Sequence, residues 1–182
     1  MSVYSLPPDL PAPIDDGAAD HLAGLEVPAL TLDSSAGPVD LAELGAGRAV
    51  LYIYPRTGTP DREPTDEWNS IPGARGCTPQ SCGFRDHVAD LAMHGARVAG
   101  LSVQPLDEQK ELAERLHILY PVIADPERRL GAALGLPRFE FEGQTLYKRI
   151  TLVFEAGRIA KVFYPVFPPD KSAEEVLAWL DS

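Results

Sequence analysis

A single α/β domain, a central mixed β-sheet with helices on both of its faces, is predicted by three features of the sequence. Residues 49–54 form a continuously apolar, β-prone run, and 96–103 a second buried-strand candidate after one helical pattern. A run that is apolar at every position suits a strand covered on both faces. Two further β-prone runs sit close together near the C-terminus, with an amphipathic helix after them. The chain has 182 residues, 45% of them hydrophobic, which suffices for one sizeable core and is short for two.

Each element follows from local chemistry. Residues 1–23 are rich in Pro, Asp and Ala, with Pro7-Pro8 and Pro11-Ala12-Pro13, so they disfavour helix and read as an extended arm on the surface of a domain spanning 24–182. Pro55 ends the first strand. Phe84, Val88, Leu91 and Ala92 recur at helical spacing, Pro79 suits a first turn and Gly95 a stop, which predicts a helix over 78–94. The second strand ends at Gln104-Pro105. A polar helix over 107–117 carries Leu112, Ala113 and Leu116 on one face, and a shorter one over 127–134 is halted by Gly135. Residues 150–154 and 159–164 flank Glu155-Ala156-Gly157-Arg158, a turn-forming link that predicts a hairpin. Ser172-Ala173-Glu174-Glu175 has the capping-box pattern ahead of Val176, Leu177 and Leu180. No internal repeat or long low-complexity segment is present.

Charge narrows the partners. With 16 basic against 27 acidic residues, a net charge of −11 and no Lys/Arg run, the chain offers nothing to follow a phosphate backbone or an anionic lipid surface. The N-terminal stretch lacks a basic region followed by an apolar one, and no run of about eighteen apolar residues occurs. A cytoplasmic protein is expected. Two cysteines are too few for a disulfide-stapled secreted scaffold, and a close pair in a reducing compartment points to catalysis, redox sensing or metal binding.

Both cysteines, Cys77 and Cys82, lie within Gly76-Cys77-Thr78-Pro79-Gln80-Ser81-Cys82-Gly83-Phe84-Arg85-Asp86. Cys77 falls just before the predicted helix start, where unpaired backbone N–H groups and the positive end of the helix dipole favour a thiolate. It is the better nucleophile. If both positions are helical, they are separated by a rise of about 7.5 Å and about 140° around the axis. Cys77 then shares the apolar face with Phe84 and Val88, and Cys82 the polar face with Arg85 and Asp86. A bond between them requires the first turns to unwind. A metal site built from Cys77, Cys82, His87 and His94 is disfavoured, because Cys82 and His87 repeat the five-residue offset and diverge around the helix. A Cys-x-x-Cys disulfide oxidoreductase does not match the four-residue gap. His21 and His117 belong to no motif.

These residues resemble those of a known family, the peroxiredoxins, most closely the bacterioferritin-comigratory or Q-type branch. Tyr54-Pro55-Arg56-Thr57-Gly58-Thr59-Pro60 is similar to the family's Pro-x-x-x-Thr-Pro. Gly76-Cys77-Thr78, Cys82 and Phe84-Arg85-Asp86 resemble its Gly-Cys-Thr-x-x-x-x-Cys-x-Phe-Arg-Asp. Arg149-Ile150-Thr151 resembles its Arg-x-Thr-Phe, with Leu152 in place of the aromatic residue. The resemblance runs from about Gly24 to Leu180 and includes Asp125-Pro126-Glu127.

The resemblance implies a thioredoxin-like fold and a thiol peroxidase acting on hydrogen peroxide or small organic hydroperoxides. Cys77 would be the peroxidatic cysteine and Cys82 the resolving one. Thr59 would hydrogen-bond the thiolate and the peroxide, Pro55 would shield the pocket, and Arg149 would stabilise the thiolate and the charge on the peroxide oxygens. A thioredoxin-like dithiol protein would reduce the disulfide, with no metal, haem or flavin, in a monomer or homodimer. The other reading is a thioredoxin-fold redox sensor or binding module without peroxidase turnover.

One departure stands out. The family's Thr lies three residues before the Cys, whereas here the fifteen residues 61–75 intervene between Pro60 and Gly76, and Ala74 holds the minus-three position. Thr59 reaches Cys77 if the segment loops out as one excursion. Otherwise the hydroxyl would come from Thr57, Thr65, Ser70 or nowhere. The inserted segment reads as a lid over the pocket or as a passive surface excursion.

Overall fold

The structure, a computed structural model, describes residues 4–59 and 61–182. Pro60 of the Thr59-Pro60 pair and the first three residues of the expected arm lie outside the described residues. Among the described residues no helix is long and apolar enough to cross a membrane.

The chain forms, in order, β1 (Thr31–Leu32), β2 (Val39–Asp40), α1 (Leu41–Ala46), β3 (Arg48–Ile53), α2 (Asp66–Ser70), α3 (Cys77–Asp86), α4 (Val88–Met93) and β4 (Ala96–Ser102). It continues with α5 (Leu106–Arg115), β5 (Val122–Ala124), α6 (Arg129–Leu134), β6 (Arg138–Phe141), β7 (Gln144–Tyr147), β8 (Ile150–Glu155), β9 (Arg158–Phe163) and α7 (Ser172–Leu180). The main sheet has the order β5-β4-β3-β8-β9. β3 pairs parallel with β4 and antiparallel with β8, and β8 pairs antiparallel with β9, so the sheet is mixed. The expected hairpin is this β8–β9 pair, turned by Ala156 and Gly157, both at positive φ.

The alternation of side chains along β3 builds the two layers. Ala49, Leu51 and Ile53 pack with Leu41 and Leu44 of α1 and Leu130 and Leu134 of α6 on one face. Val50, Tyr52 and Tyr54 pack on the other face with Cys77 and Phe84 of α3, Leu91 of α4, Leu112 of α5 and Val176 of α7. Helices therefore cover both faces, as the doubly apolar strand required.

Several expectations are corrected. The single helix over 78–94 is two helices: α3 starts one residue earlier, at Cys77, and the chain turns at His87 (φ −107, ψ 9) before α4. That turn brings Leu91 to the sheet but leaves Val88 40% exposed, so Val88 does not share a buried face with Cys77. The capping box at Ser172 does not form: Ser172 is the first residue of α7, and its Oγ instead accepts from Gln80 Nε2 at 3.2 Å. The arm is not purely superficial, since Ala19 and Leu22 are buried. Its continuation bonds the edge of β9, with Gly24 N–H donating to Ile159 O at 2.8 Å.

The sequence reading did not anticipate β1, β2, α1, β5 or the β6–β7 hairpin. That hairpin turns on Glu142-Gly143, both at positive φ, a signal of the same kind as Ala156-Gly157. The inserted segment is a packed structure. Thr65 Oγ1 caps α2 by accepting from Trp68 N–H at 3.1 Å. Trp68 meets Phe141 at a ring separation of 4.9 Å, and the Arg56 guanidinium lies 4.9 Å from the Trp68 ring centre. The segment is thereby docked on the β6–β7 hairpin.

Gly100 of β4 lies under the Tyr52 ring, and a Cβ there would sit 2.6 Å from Tyr52 Cζ. Tyr52 is fully buried and hydrogen-bonded, so it has little freedom to move aside. Gly100→Ala is expected to lower stability by about 1–3 kcal/mol, read as a shift in the denaturant midpoint.

Candidate active site

Gly76 sets the site's geometry. Its φ of 118 turns the chain into α3, and a Cβ at that position would lie 2.7 Å from Pro169 Cγ and 3.0 Å from Leu6 Cδ2. Only glycine fits both constraints. Cys77 follows as the first residue of α3, in a turn whose leading N–H groups have no intrahelical acceptors. Pro79 sits two residues on and has no N–H to orphan.

Arg149 approaches from the junction of β7 and β8. It is 3% exposed, and each of its three nitrogens donates a hydrogen bond. Nη2 donates to Cys77 Sγ at 3.1 Å and to Ala74 O at 2.9 Å, Nε to Gly73 O at 3.2 Å, and Nη1 to Gln80 Oε1 at 2.5 Å. None of these partners is a carboxylate. A buried cation without a counter-ion is costly. Of the four groups that accept from it, the Cys77 thiol is the ionisable one. In the protonated state the thiol donates to Ala74 O at 3.7 Å.

The sulfur opens on a cavity of about 540 Å³ whose walls include Thr57, Thr59, Trp68, Gln104 and Leu146. α2 and the residues before it form one side, so the inserted segment walls the route to Cys77. Thr59 stands on this cavity but is exposed and makes no hydrogen bond to Cys77. The sulfur's bonds go to Arg149 and Ala74 instead. Thr57 bonds Gln104, Thr65 caps α2, and Ser70 Oγ donates to Glu67 O. None of the expected hydroxyls is therefore against the sulfur in this state. Pro55 is buried but does not line this cavity. It lines, with Arg149, Gly73 and Tyr164, a second and more apolar one of about 370 Å³.

Cys82 lies in the same helix, and both cysteines are free thiols. It is half-buried against the core on that face of the sheet, more enclosed than the polar face expected for it. Burial pushes its thiol pKa up, with Asp86 adding to that effect and Arg85 opposing it. Three of the four histidines are engaged elsewhere: His87 with Asp90, His94 with Asp181, and His21 with Leu134 O.

Sequence reasoning missed Gln80 and Ser172, which brace the guanidinium in the relay Ser172–Gln80–Arg149. Gln80 was findable, because it lies three residues after Cys77 and hence on its side of the helix. Ser172 was not, because its capping pattern suggested a different use.

A thiol against a buried guanidinium at a helix start, on a sheet covered by helices on both faces, defines a cysteine-based redox domain. Residues 22–177 match the Redoxin family. Relatives include a peroxiredoxin of Mycobacterium tuberculosis, 29% identical over 148 residues covering 79% of this chain and 85% of that protein. Another is the chloroplastic peroxiredoxin Q of Sedum lineare, 29% identical over 161 residues covering 87% and 77%. Among solved structures, peroxidoxin BcpB of Mycobacterium tuberculosis superposes with a TM-score of 0.71 at 27% identity, covering 88% of this chain and 96% of that one. Xylella fastidiosa PrxQ, at 20% identity and a TM-score of 0.72 over 88% and 96%, shares the fold. The chain belongs to the Redoxin family, and its likeness within that family is to the Q-type peroxiredoxins.

Because burial raises the Cys82 pKa above the ordinary 9.0, the folded chain holds that proton longer than the unfolded one. The associated stability is intact below the ordinary thiol range and falls as the pH rises through it. In a Cys77→Ser variant, the alkylation rate of Cys82 is expected to rise with a midpoint above pH 9.0. A stopped alkylation series followed by intact mass measures it.

Proposed function

We propose that this chain is a thiol-dependent peroxidase in which Cys77 attacks hydrogen peroxide or a small organic hydroperoxide. The Cys77 thiolate bonds to the nearer peroxide oxygen, the O–O bond breaks, and the leaving oxygen takes a proton to become water or an alcohol. Cys77 is left as a sulfenic acid. The Cys82 sulfur then displaces the hydroxyl as water, giving an internal disulfide and sparing Cys77 further oxidation. A dithiol protein of the thioredoxin type returns both cysteines to thiols by exchange. The chemistry requires no metal, haem or flavin, and a monomeric or homodimeric cytoplasmic protein is expected.

The observation that carries this reading is the 3.1 Å contact from Arg149 Nη2 to Cys77 Sγ. A fixed cation in a water-poor site stabilises the thiolate and the charge that develops on the peroxide oxygens without rearranging during the reaction. A protein of the same fold, the Xanthomonas campestris bacterioferritin comigratory protein, has alkyl peroxide reduction activity, in keeping with organic hydroperoxides as substrates here. Thr59, on the wall of the cavity, meets a peroxide on its way in. Pro55 lines, with Arg149, the adjoining apolar cavity. A redox sensor without turnover would need the two cysteines but not a guanidinium held against the sulfur.

Thiol-state mass spectrometry after one equivalent of peroxide tests the assignment. An internal disulfide is expected in the wild type, no reaction in Cys77→Ser, and sulfenic or sulfinic acid at Cys77 in Cys82→Ser. Rapid peroxide loss by Cys77→Ser would refute it, and a disulfide without repeated turnover on thioredoxin and its reductase would mark a sensor. Arg149→Met is expected to slow oxidation of Cys77 by about 10²–10³-fold, measured by stopped-flow fluorescence.

A further inference from the structure

Joining Cys77 to Cys82 demands that α3 open, because five helical residues separate their Cα atoms by about 7.5 Å along the axis and about 140° around it. The two halves of the helix are held very differently. The first turn carries one backbone disadvantage, since Thr78 precedes Pro79, a position that disfavours helical backbone, although Gln80 N–H closes it on Gly76 O at 3.0 Å. Its anchors are Arg149 on Cys77 Sγ and Gln80 Oε1, together with Ser172 on Gln80. The first of these is to the atom that becomes oxidised.

From Ser81 onward the helix is fastened to the sheet. Tyr52 Oη and Ser81 Oγ are hydrogen-bonded at 3.2 Å, the two phenol oxygens share a hydrogen bond at 2.7 Å, and Tyr120 Oη donates to the Ser81 carbonyl at 3.2 Å, which leaves the Tyr52 proton for Tyr120 and the Ser81 hydroxyl proton for Tyr52. Tyr52 comes from the central strand β3, is fully buried, and stacks on Phe84 with a centroid separation of 4.5 Å and an interplanar angle of 4°. Arg85 Nη1 adds a bond to Leu116 O at 2.9 Å. Burial pushes the pKa of both phenols up, keeping them protonated as donors.

We propose that Ser81 is the hinge at which α3 stops unwinding when the disulfide forms, with Tyr52 and Tyr120 as the positioning residues that hold it. The inference rests on the assignment of Cys77 and Cys82 above. In the resolving step the Cys82 sulfur bonds to the sulfenic sulfur of Cys77, the S–O bond breaks, and the hydroxyl leaves with the thiol proton as water. Cys82 stays where it is and Cys77 travels to it. Serine is among the preferred residues at the head of a helix, and a helix shortened to start at Cys82 has Ser81 as its N-cap. The Ser81 carbonyl then accepts the first intrahelical bond, from Arg85 N–H, while Tyr120 still holds the same oxygen.

Amide exchange measured by NMR on the full chain, reduced and then oxidised by one equivalent of peroxide, tests this. In the oxidised wild type, the amides of residues 80–84 are expected to lose protection by at least about 100-fold, while those of Arg85, Asp86 and His87 stay within about tenfold of the reduced protein. In Tyr120→Phe the loss should spread to Arg85–His87 in the oxidised form only. Equal loss across 80–87 in the oxidised wild type overturns the proposal. So does a Tyr120→Phe variant that behaves as the wild type, or one that loses protection equally in both forms, which would mark Tyr120 as merely structural. Absence of any disulfide by intact mass removes the underlying cysteine assignment, a different failure from a disulfide with the wrong exchange pattern.

Discussion

A guanidinium buried without a carboxylate is the constraint around which this protein is arranged. Arg149 is taken out of water just before β8 and given two carbonyls, one amide oxygen and one sulfur as neighbours. Neutral acceptors satisfy N–H groups but not a charge. On the proposed assignment, an anionic Cys77 sulfur would supply the charge compensation that these neutral acceptors lack. Gly76, the helix start, Gln80 and Ser172 each keep this pair in register.

The inserted segment is best understood through the same pair. Near its end, Gly73 and Ala74 provide carbonyl acceptors of Arg149. Its middle, through Trp68, is seated on the β6–β7 hairpin that leads directly into Arg149. Insertion, hairpin and guanidinium thus form one packed unit, which argues against a passive excursion and explains why the cavity above Cys77 has a wall on that side.

Much of this was legible in the sequence. The apolar runs gave β3 and β4, the Ala156-Gly157 link gave the β8–β9 hairpin, and the motif around Cys77 located the helix that carries both thiols. Less was legible where the deciding contact is distant in the chain. Residues three positions apart cannot disclose that Ser172 serves Gln80 and not its own helix. Short strands such as Val122–Ala124 are set by a neighbour already in place, here β4. The role expected of Thr59 rested on its place in the Pro-x-x-x-Thr-Pro pattern and on residues 61–75 looping out as one excursion, and that path is not readable from the residues alone. The boundary at residue 23 was drawn where composition changes, but Leu22 is buried with the core, and packing does not follow composition there.

The central claim, that the positive charge of Arg149 activates Cys77, is tested most directly by chemical rescue. In Arg149→Ala, the rate at which one equivalent of peroxide oxidises Cys77 would be followed with added guanidinium ion and with sodium chloride at the same ionic strength. The account predicts a slow variant whose rate climbs and saturates with guanidinium and does not respond to the sodium salt. A variant that oxidises as fast as the wild type without any added cation would contradict it.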